Sequence, residues 1–193
     1  MTGRGEVKPG DIILMAGYAA LQGTQDLLRQ KRLILQKRFS TEFLRMAEKT
    51  KECLREDAGE ICKEFAGGVF PIGPGGVLVD LWNFGSEYSL GIEADLREIP
   101  LRQETIEICN YLDINPYEIA GSGAFLAAAD RKQAEALEER LKNSEIPVSV
   151  IGYFTSGNDR VVRNRDIRRF LTPKNYTDQR QDKLLSAQKR EED

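Results

Sequence analysis

No histidine occurs among the 193 residues. Without an imidazole, every Ser-His and Cys-His nucleophile pair is excluded. Cysteine is scarce: Cys53, Cys62 and Cys109 are odd in number, and none falls in a C-x-x-C pair. That pattern argues against a disulfide scaffold and against a zinc site; it reads as thiols buried in a reducing compartment. Long apolar runs are missing as well. The longest, IILMAGYAAL over residues 12–21, is broken by Gly17 and is too short for a bilayer, which asks for about 20 residues. The opening residues, MTGRGEVKPGD, carry no apolar stretch behind their basic side chains, so no secretory leader is expected and the expected location is cytoplasmic. Positive charge is not in excess either. The formal net charge is -3 and the pI is about 5.3, so neither nucleic acid nor an acidic membrane surface is an expected partner.

What is present suffices for a packed domain. Hydrophobic residues make up 40% of the chain and charged residues 31%, a balance typical of globular proteins. The length suits one domain, residues 1–172, followed by a polar tail over residues 173–193. Pro9-Gly10-Asp11 is a turn that launches a strand from Ile12. Behind Gly23, TQDLLRQKRLILQKRF has helical spacing, with Leu27, Leu28, Ile34 and Leu35 on one broad face. Ser40 is placed to cap a second helix carrying Phe43, Met46, Ala47 and Leu54. AGEICKEFA, residues 58–66, reads as a third, short helix.

The centre changes character, since AGGVFPIGPGGV over residues 66–77 reads as a glycine- and proline-rich loop around Val69-Phe70. A helix is expected from Gly76 through Leu78, Leu81 and Trp82. LGIEADL alternates as a strand, and Pro100 is expected to open the helix that contains Thr105 and Ile108. Asn115-Pro116 is a helix-start pair; AFLAAA is a buried strand; KQAEALEERLKN is an amphipathic helix. VSVIGYF is a strand, and residues 160–162 read as a short edge strand. Strands and helices alternate without a fixed repeat, which predicts an α/β (α+β) domain with a mixed β-sheet flanked by helices.

Four features invite a ligand. Gly75-Gly76 stands at a helix start, where free N–H groups can bind an anion or where glycine simply permits a tight turn. Gly17, Gly23 and Thr24 in GYAALQGT could offer amides and a hydroxyl to phosphate, although the lysine of a P-loop is missing. Ser122 sits between Gly121 and Gly123, either a hydroxyl in a site or part of a turn feeding the next strand. RVVRNRDIRR, residues 160–169, holds five arginines; it could form an RNA- or phosphate-binding patch, but in an acidic chain with few adjacent aromatics it reads rather as a solvated face or a partner-docking edge.

Taken in order, PGDIILMAGYAALQGT, RFSTEFLRMA, the run GIEADLREIPLRQETIEICNYLDINPYEIAGSGAFLAAA and VIGYFTSG resemble the carboxy-terminal domain of AIR-synthase-related (aminoimidazole-ribonucleotide-synthetase-like) proteins. The I-P-x-R-Q-E-T and N-P-Y-x-x-x-x-S-G elements look most like the branch allied to hydrogenase maturation factors. The resemblance implies a two-domain protein whose amino-terminal half supplies the nucleotide site. It therefore implies no cofactor on this chain by itself, and ATP with Mg only where a partner chain carrying that amino-terminal domain supplies it. Such a partner or self-association is expected.

Where the family's polar signature resembles H-D-x-T-x-G-G, this sequence reads Phe70-Pro71-Ile72-Gly73-Pro74-Gly75-Gly76. The glycine pair is kept and the titratable positions are lost, so no catalytic residue is assigned and no proton transfer is expected from this loop. Carbamoyl-dehydrating relatives resemble I-A-N-E-G-K where this chain has Ile119-Ala120-Gly121-Ser122-Gly123-Ala124, and they end in a cysteine where it ends in Glu191-Glu192-Asp193. The expectation is a non-catalytic or half-site binding domain with Gly75, Gly76, Ser122, Gly123, Gly23 and Thr24 as candidate ligand-binding residues. The alternative is a subunit of a split ATP-dependent synthetase or maturation enzyme acting on a phosphate or carbamoyl substrate.

Overall fold

Residues 6–173 are described by the structure, a computed structural model. The expected tail, apart from Pro173, and the closing acidic residues lie outside the described residues. The elements run β1 (Ile12–Ala16), α1 (Leu21–Gln30), α2 (Arg32–Arg38), α3 (Thr41–Lys49), α4 (Ala58–Phe65), β2 (Gly68–Pro71), α5 (Val77–Glu87), β3 (Gly91–Asp95), α6 (Gln103–Tyr111), β4 (Phe125–Ala129), α7 (Arg131–Asn143), β5 (Val148–Thr155), β6 (Arg160–Asn164) and β7 (Ile167–Phe170). The strands form one sheet in the order β2-β4-β1-β5-β3-β6-β7. Every pairing is antiparallel except that of β3 with β6, so the expected mixed sheet flanked by helices is what forms.

Alternation along the central strands assigns the two faces. Ile13 and Met15 of β1 and Leu126 and Ala128 of β4 join Leu81 and Phe84 of α5 in the larger core. Leu14, Ala16, Ala127 and Ala129 point the other way, onto α4 and α7. Alanine there lets Cys62, Leu137 and Leu141 come close to the sheet. Around Phe84 the rings of Phe154 and Tyr88 stand edge-on with centroids 5.1 and 5.6 Å away; such pairs add about 0.5–1.5 kcal/mol each beyond the area they bury. A third cluster, Leu28, Leu35, Leu44, Ala47 and Ile108, ties α1, α2, α3 and α6 together away from the sheet.

Several expectations need correction. The glycine-rich centre contains the strand β2, paired to β4; Val69 and Phe70 are short of polar alternation, so the strand was masked by its glycines. The long helix after Gly23 breaks at Lys31 into α1 and α2. Ser40 caps α3 as expected, accepting from the Phe43 N–H at 3.2 Å, but Met46 is 49% exposed. The buried positions of α3 are Leu44 and Ala47, and Leu54 lies beyond the helix. Pro100 does not open α6, which begins at Gln103 with Arg102 as its N-cap. The strand at Arg160 is longer than expected and is not at the edge, because β7 pairs outside it. Among the described residues, no helix is long and apolar enough to cross a membrane.

Candidate functional site

Glycine-bearing loops from four places in the sequence meet at one end of the sheet. Just after β1, Gly17 takes a φ of +88°, and a β-carbon there would lie 2.6 Å from the carbonyl oxygen of Gly123. Its N–H donates to the carbonyl of Pro147 at 2.7 Å. One turn into α1, the Gly23 N–H donates to the carbonyl of Ala120 at 2.7 Å, and a β-carbon would strike Ile119 at 2.7 Å. Thr24 is fully buried. Its hydroxyl donates to the Ala20 carbonyl at 2.9 Å and shares a 2.7 Å hydrogen bond with that of Thr105 on α6.

The 73–76 loop joins the same cluster. The Gly73 carbonyl accepts from the Gly121 N–H at 2.9 Å and from the Gly76 N–H at 3.3 Å. Gly76 has φ +79° and ψ 171°, and a β-carbon on it would meet the Tyr117 carbonyl oxygen at 2.7 Å. Gly123, at φ +65°, lies against the backbone of Leu54 and Arg55. Gly75, Gly76 and Gly123 are buried and Ser122 is half-buried. The structure thus brings Gly23, Thr24, Gly75, Gly76, Ser122 and Gly123 into one neighbourhood, with the amides of Gly23, Gly73, Gly76 and Gly121 bonded to the protein's own carbonyls and carboxylate. Phe70 and Pro71 lie on β2, where Phe70 packs near Phe84, their ring centroids 5.9 Å apart.

Asp80 is the residue of this cluster that sequence reasoning missed. It is 6% exposed, sits in the first turn of α5, and accepts from the Gly73 N–H at 2.7 Å. Burial pushes its carboxyl above the usual aspartate range, against the opposing pull of the Gly73 and Asn83 hydrogen bonds. The available signal was an acid in a helix's first turn, where it meets the positive end of the dipole.

On the far side of Tyr117 an open depression of about 440 Å³ is lined by Arg97, Ile99, Leu101, Ile106, Tyr117 and Ser149, among others. Ile99 and Leu101 belong to the I-P-x-R-Q-E-T stretch. The Tyr117 hydroxyl donates to the Leu96 carbonyl at 2.9 Å, which fixes its ring, and burial raises its pKa. Arg97 is held by Asp95 at 2.6 Å; that partner keeps the Asp95 carboxyl below the usual range. Beside the depression, Arg102 pairs with buried Glu104 at 3.1 Å and stacks over the Tyr18 ring at 5.5 Å. Among the described residues, no group of three or more His, Cys, Asp or Glu side chains could hold a metal ion.

A family model described as AIR synthase related protein, C-terminal domain matches residues 8–164. No curated protein matches the chain. Among solved structures, the chain is similar to E. coli hydrogenase maturation protein HypE with a TM-score of 0.70 and 17% identity, covering 89% of this chain and 52% of that one. HypE crystallised in complex with ATP gives a TM-score of 0.66 and 19% identity, with 88% and 52% covered. Thiamine-monophosphate kinase from Stenotrophomonas maltophilia gives 0.64 and 19%, with 82% and 52% covered. At these identities the likeness concerns the fold. This chain spans about half the length of each of these structures.

Proposed function

Because the chain belongs to the AIR synthase related protein, C-terminal domain family, we propose that it works as one half of a ligand site and supplies shape and binding contacts rather than reacting groups. The other half is a nucleotide-binding domain, carried by a partner chain or by further sequence of the same protein. In this reading Gly23, Thr24, Gly75, Gly76, Ser122 and Gly123 form a rigid wall, and Ser122 and the rim of the depression beside Tyr117 face the ligand. The observation that carries it is the 73–76 loop. Its donors at Gly73 and Gly76 are committed to Asp80 and to the loop itself, and the preceding signature positions are Phe70 and Pro71, neither of which can move a proton.

The chain alone is then expected to give no heat with Mg-ATP in calorimetry at tens of micromolar protein. Saturable binding of ATP to the isolated chain would sink the proposal.

A second reading is a subunit of a split ATP-dependent synthetase or hydrogenase maturation enzyme with a phosphate or carbamoyl substrate. It is favoured by the half-length match to a maturation protein crystallised with ATP. It predicts ATP turnover when the chain is mixed with a protein carrying the missing domain. The binding-only reading predicts a complex without turnover.

A further inference from the structure

Independently of that site, we propose that the outer edge of β7 is a docking strand for an extended, acidic segment of a partner protein, which adds to the sheet as an eighth strand. β7 is the last strand of the sheet. Leu171 donates to the Arg160 carbonyl at 2.8 Å. Backbone alternation therefore turns Ile167 and Arg169 toward β6 and leaves the N–H and C=O groups of Arg168 and Phe170 directed outward. An edge of this kind is a template for another strand.

The side chains give the edge its selectivity. All four residues of β7 are exposed, Ile167 at 70% and Phe170 at 55%. Arg168 lies over the Phe170 ring at 5.3 Å. Residues 160–169 hold five arginines against one acid in a chain whose net charge is -3; Arg163 is paired with Glu93 and Arg169 lies 3.8 Å from Glu118, yet their side chains stay 48% and 60% exposed, open to a further carboxylate. Phe170 pairs with Val161 and Arg168 with Arg163, which puts all four on one face of the sheet. Across that face, Tyr153 of β5 is 45% exposed, and α4 and α7 are packed on the strands at the other end. Exposed aromatic and arginine side chains are what protein interfaces are enriched in.

Charge decides between a second copy and a different chain. In the two antiparallel self-pairings that keep most of β7, Arg168 or Arg169 faces its own copy, and like charges directly opposed across strands are destabilising. An incoming strand with two consecutive carboxylates opposite Arg168 and Arg169, which lie on opposite faces of β7, turns both arginines into cross-strand ion pairs, while apolar residues on either side of that acidic pair meet Ile167 and Phe170. An acidic extended segment is therefore the occupant that the edge favours.

The test is fluorescence anisotropy with the full chain and a labelled peptide of about ten residues in which Glu-Glu pairs are separated by Val-Thr pairs. Saturable binding is expected. It should weaken severalfold between about 50 and about 300 mM NaCl, because the pairs are exposed, and by about tenfold or more in the double variant Arg168→Glu, Arg169→Glu. A peptide of the same charge in which every Val and Thr becomes Pro should fail to bind, since both of its edges then lose donors. Equal binding of the proline peptide, equal or tighter binding of an oligo-dT probe, or no binding of the acidic peptide would each overturn the proposal. So would sedimentation showing a dimer of the unmodified chain that the double variant abolishes. Circular dichroism melting of the double variant checks that it is folded; if it is not, Arg168→Ser with Arg169→Ser takes its place and the same loss is required.

Discussion

Replacing Gly76 by alanine separates a backbone requirement from a ligand requirement at the centre of the candidate site. The residue has φ +79° and ψ 171°, a region essentially reserved for glycine, where another residue costs about 1–3 kcal/mol. The new β-carbon would also approach the Tyr117 carbonyl oxygen at 2.7 Å and two Glu118 backbone atoms at 2.8 and 2.9 Å. Those neighbours are main chain, so relief requires the short turn at Tyr117 to shift, a further cost of about 1–3 kcal/mol on the scale of overpacking. The sum is about 2–6 kcal/mol, a large share of a typical domain stability of about 5–15 kcal/mol.

Gly75 is the internal control. Its φ is not positive, and a β-carbon would meet the Val79 side chain at 3.1 Å; the gain of about 0.4–1 kcal/mol from a less free unfolded chain offsets part of that crowding, so Gly75→Ala should cost no more than about 1 kcal/mol. Urea unfolding followed by circular dichroism reads both. With a slope of about 2 kcal/mol/M, the midpoint for Gly76→Ala should fall by about 1–3 M, and that for Gly75→Ala by no more than about 0.5 M. Equal and small shifts for both variants would refute the packing account of this loop.

At Asp80, alanine leaves the Gly73 N–H without its acceptor and should cost about 1–3 kcal/mol, whereas asparagine keeps an acceptor and should cost less. Because the folded carboxyl is raised by burial, wild-type stability from this group is greatest below the unfolded aspartate value and declines as pH rises through the folded one. Asp80→Asn should therefore gain on the wild type across that window in acid-titrated melts, and a pH-independent difference would contradict it. The Cys62 thiol is pushed up by burial from 9.0 to about 12; stability should consequently fall as pH rises above about 9, and native-state alkylation read by mass spectrometry should modify half-buried Cys53 ahead of it. Ser40→Ala should lower stability by about 1 kcal/mol through loss of the α3 cap. Leu81→Ala, at a fully buried position between α5 and the sheet, should cost about 2–5 kcal/mol; both can be read from unfolding midpoints.

Elements whose signal is local were legible. β3 follows from alternation, α7 from helical spacing, and β4 and β5 from short apolar runs, and the Ser40 and Asn115 caps are formed by the side chains that announced them. The strands hidden in unusual composition were not. β2 is a strand because β4 pairs with it, and glycine and proline on either side conceal that partner. β7 reads as part of an arginine-rich run, and only its hairpin with β6 makes it a strand. Pro100 shows the reverse error, since a good start signal was left outside the helix when the Pro100 carbonyl was taken by the Ala19 N–H at 2.9 Å and α6 began after it.

From the sequence alone came the class of fold, the resemblance that spans it, and the glycines of the candidate site one motif at a time, because each rests on residue type and short-range spacing. Only the tertiary structure decided that the motifs at Gly17, Gly23, Gly76 and Gly123 are a single cluster, and that Asp80 holds it. Gly17 and Gly123 are more than a hundred residues apart, and no local pattern records which carbonyl will press against which α-carbon. It also decided which arginine-bearing strand lies at the edge. That depends on the parallel pairing of β3 with β6, a choice made by the packing of Ile92, Ala94 and Val162 into one core rather than by either segment in isolation.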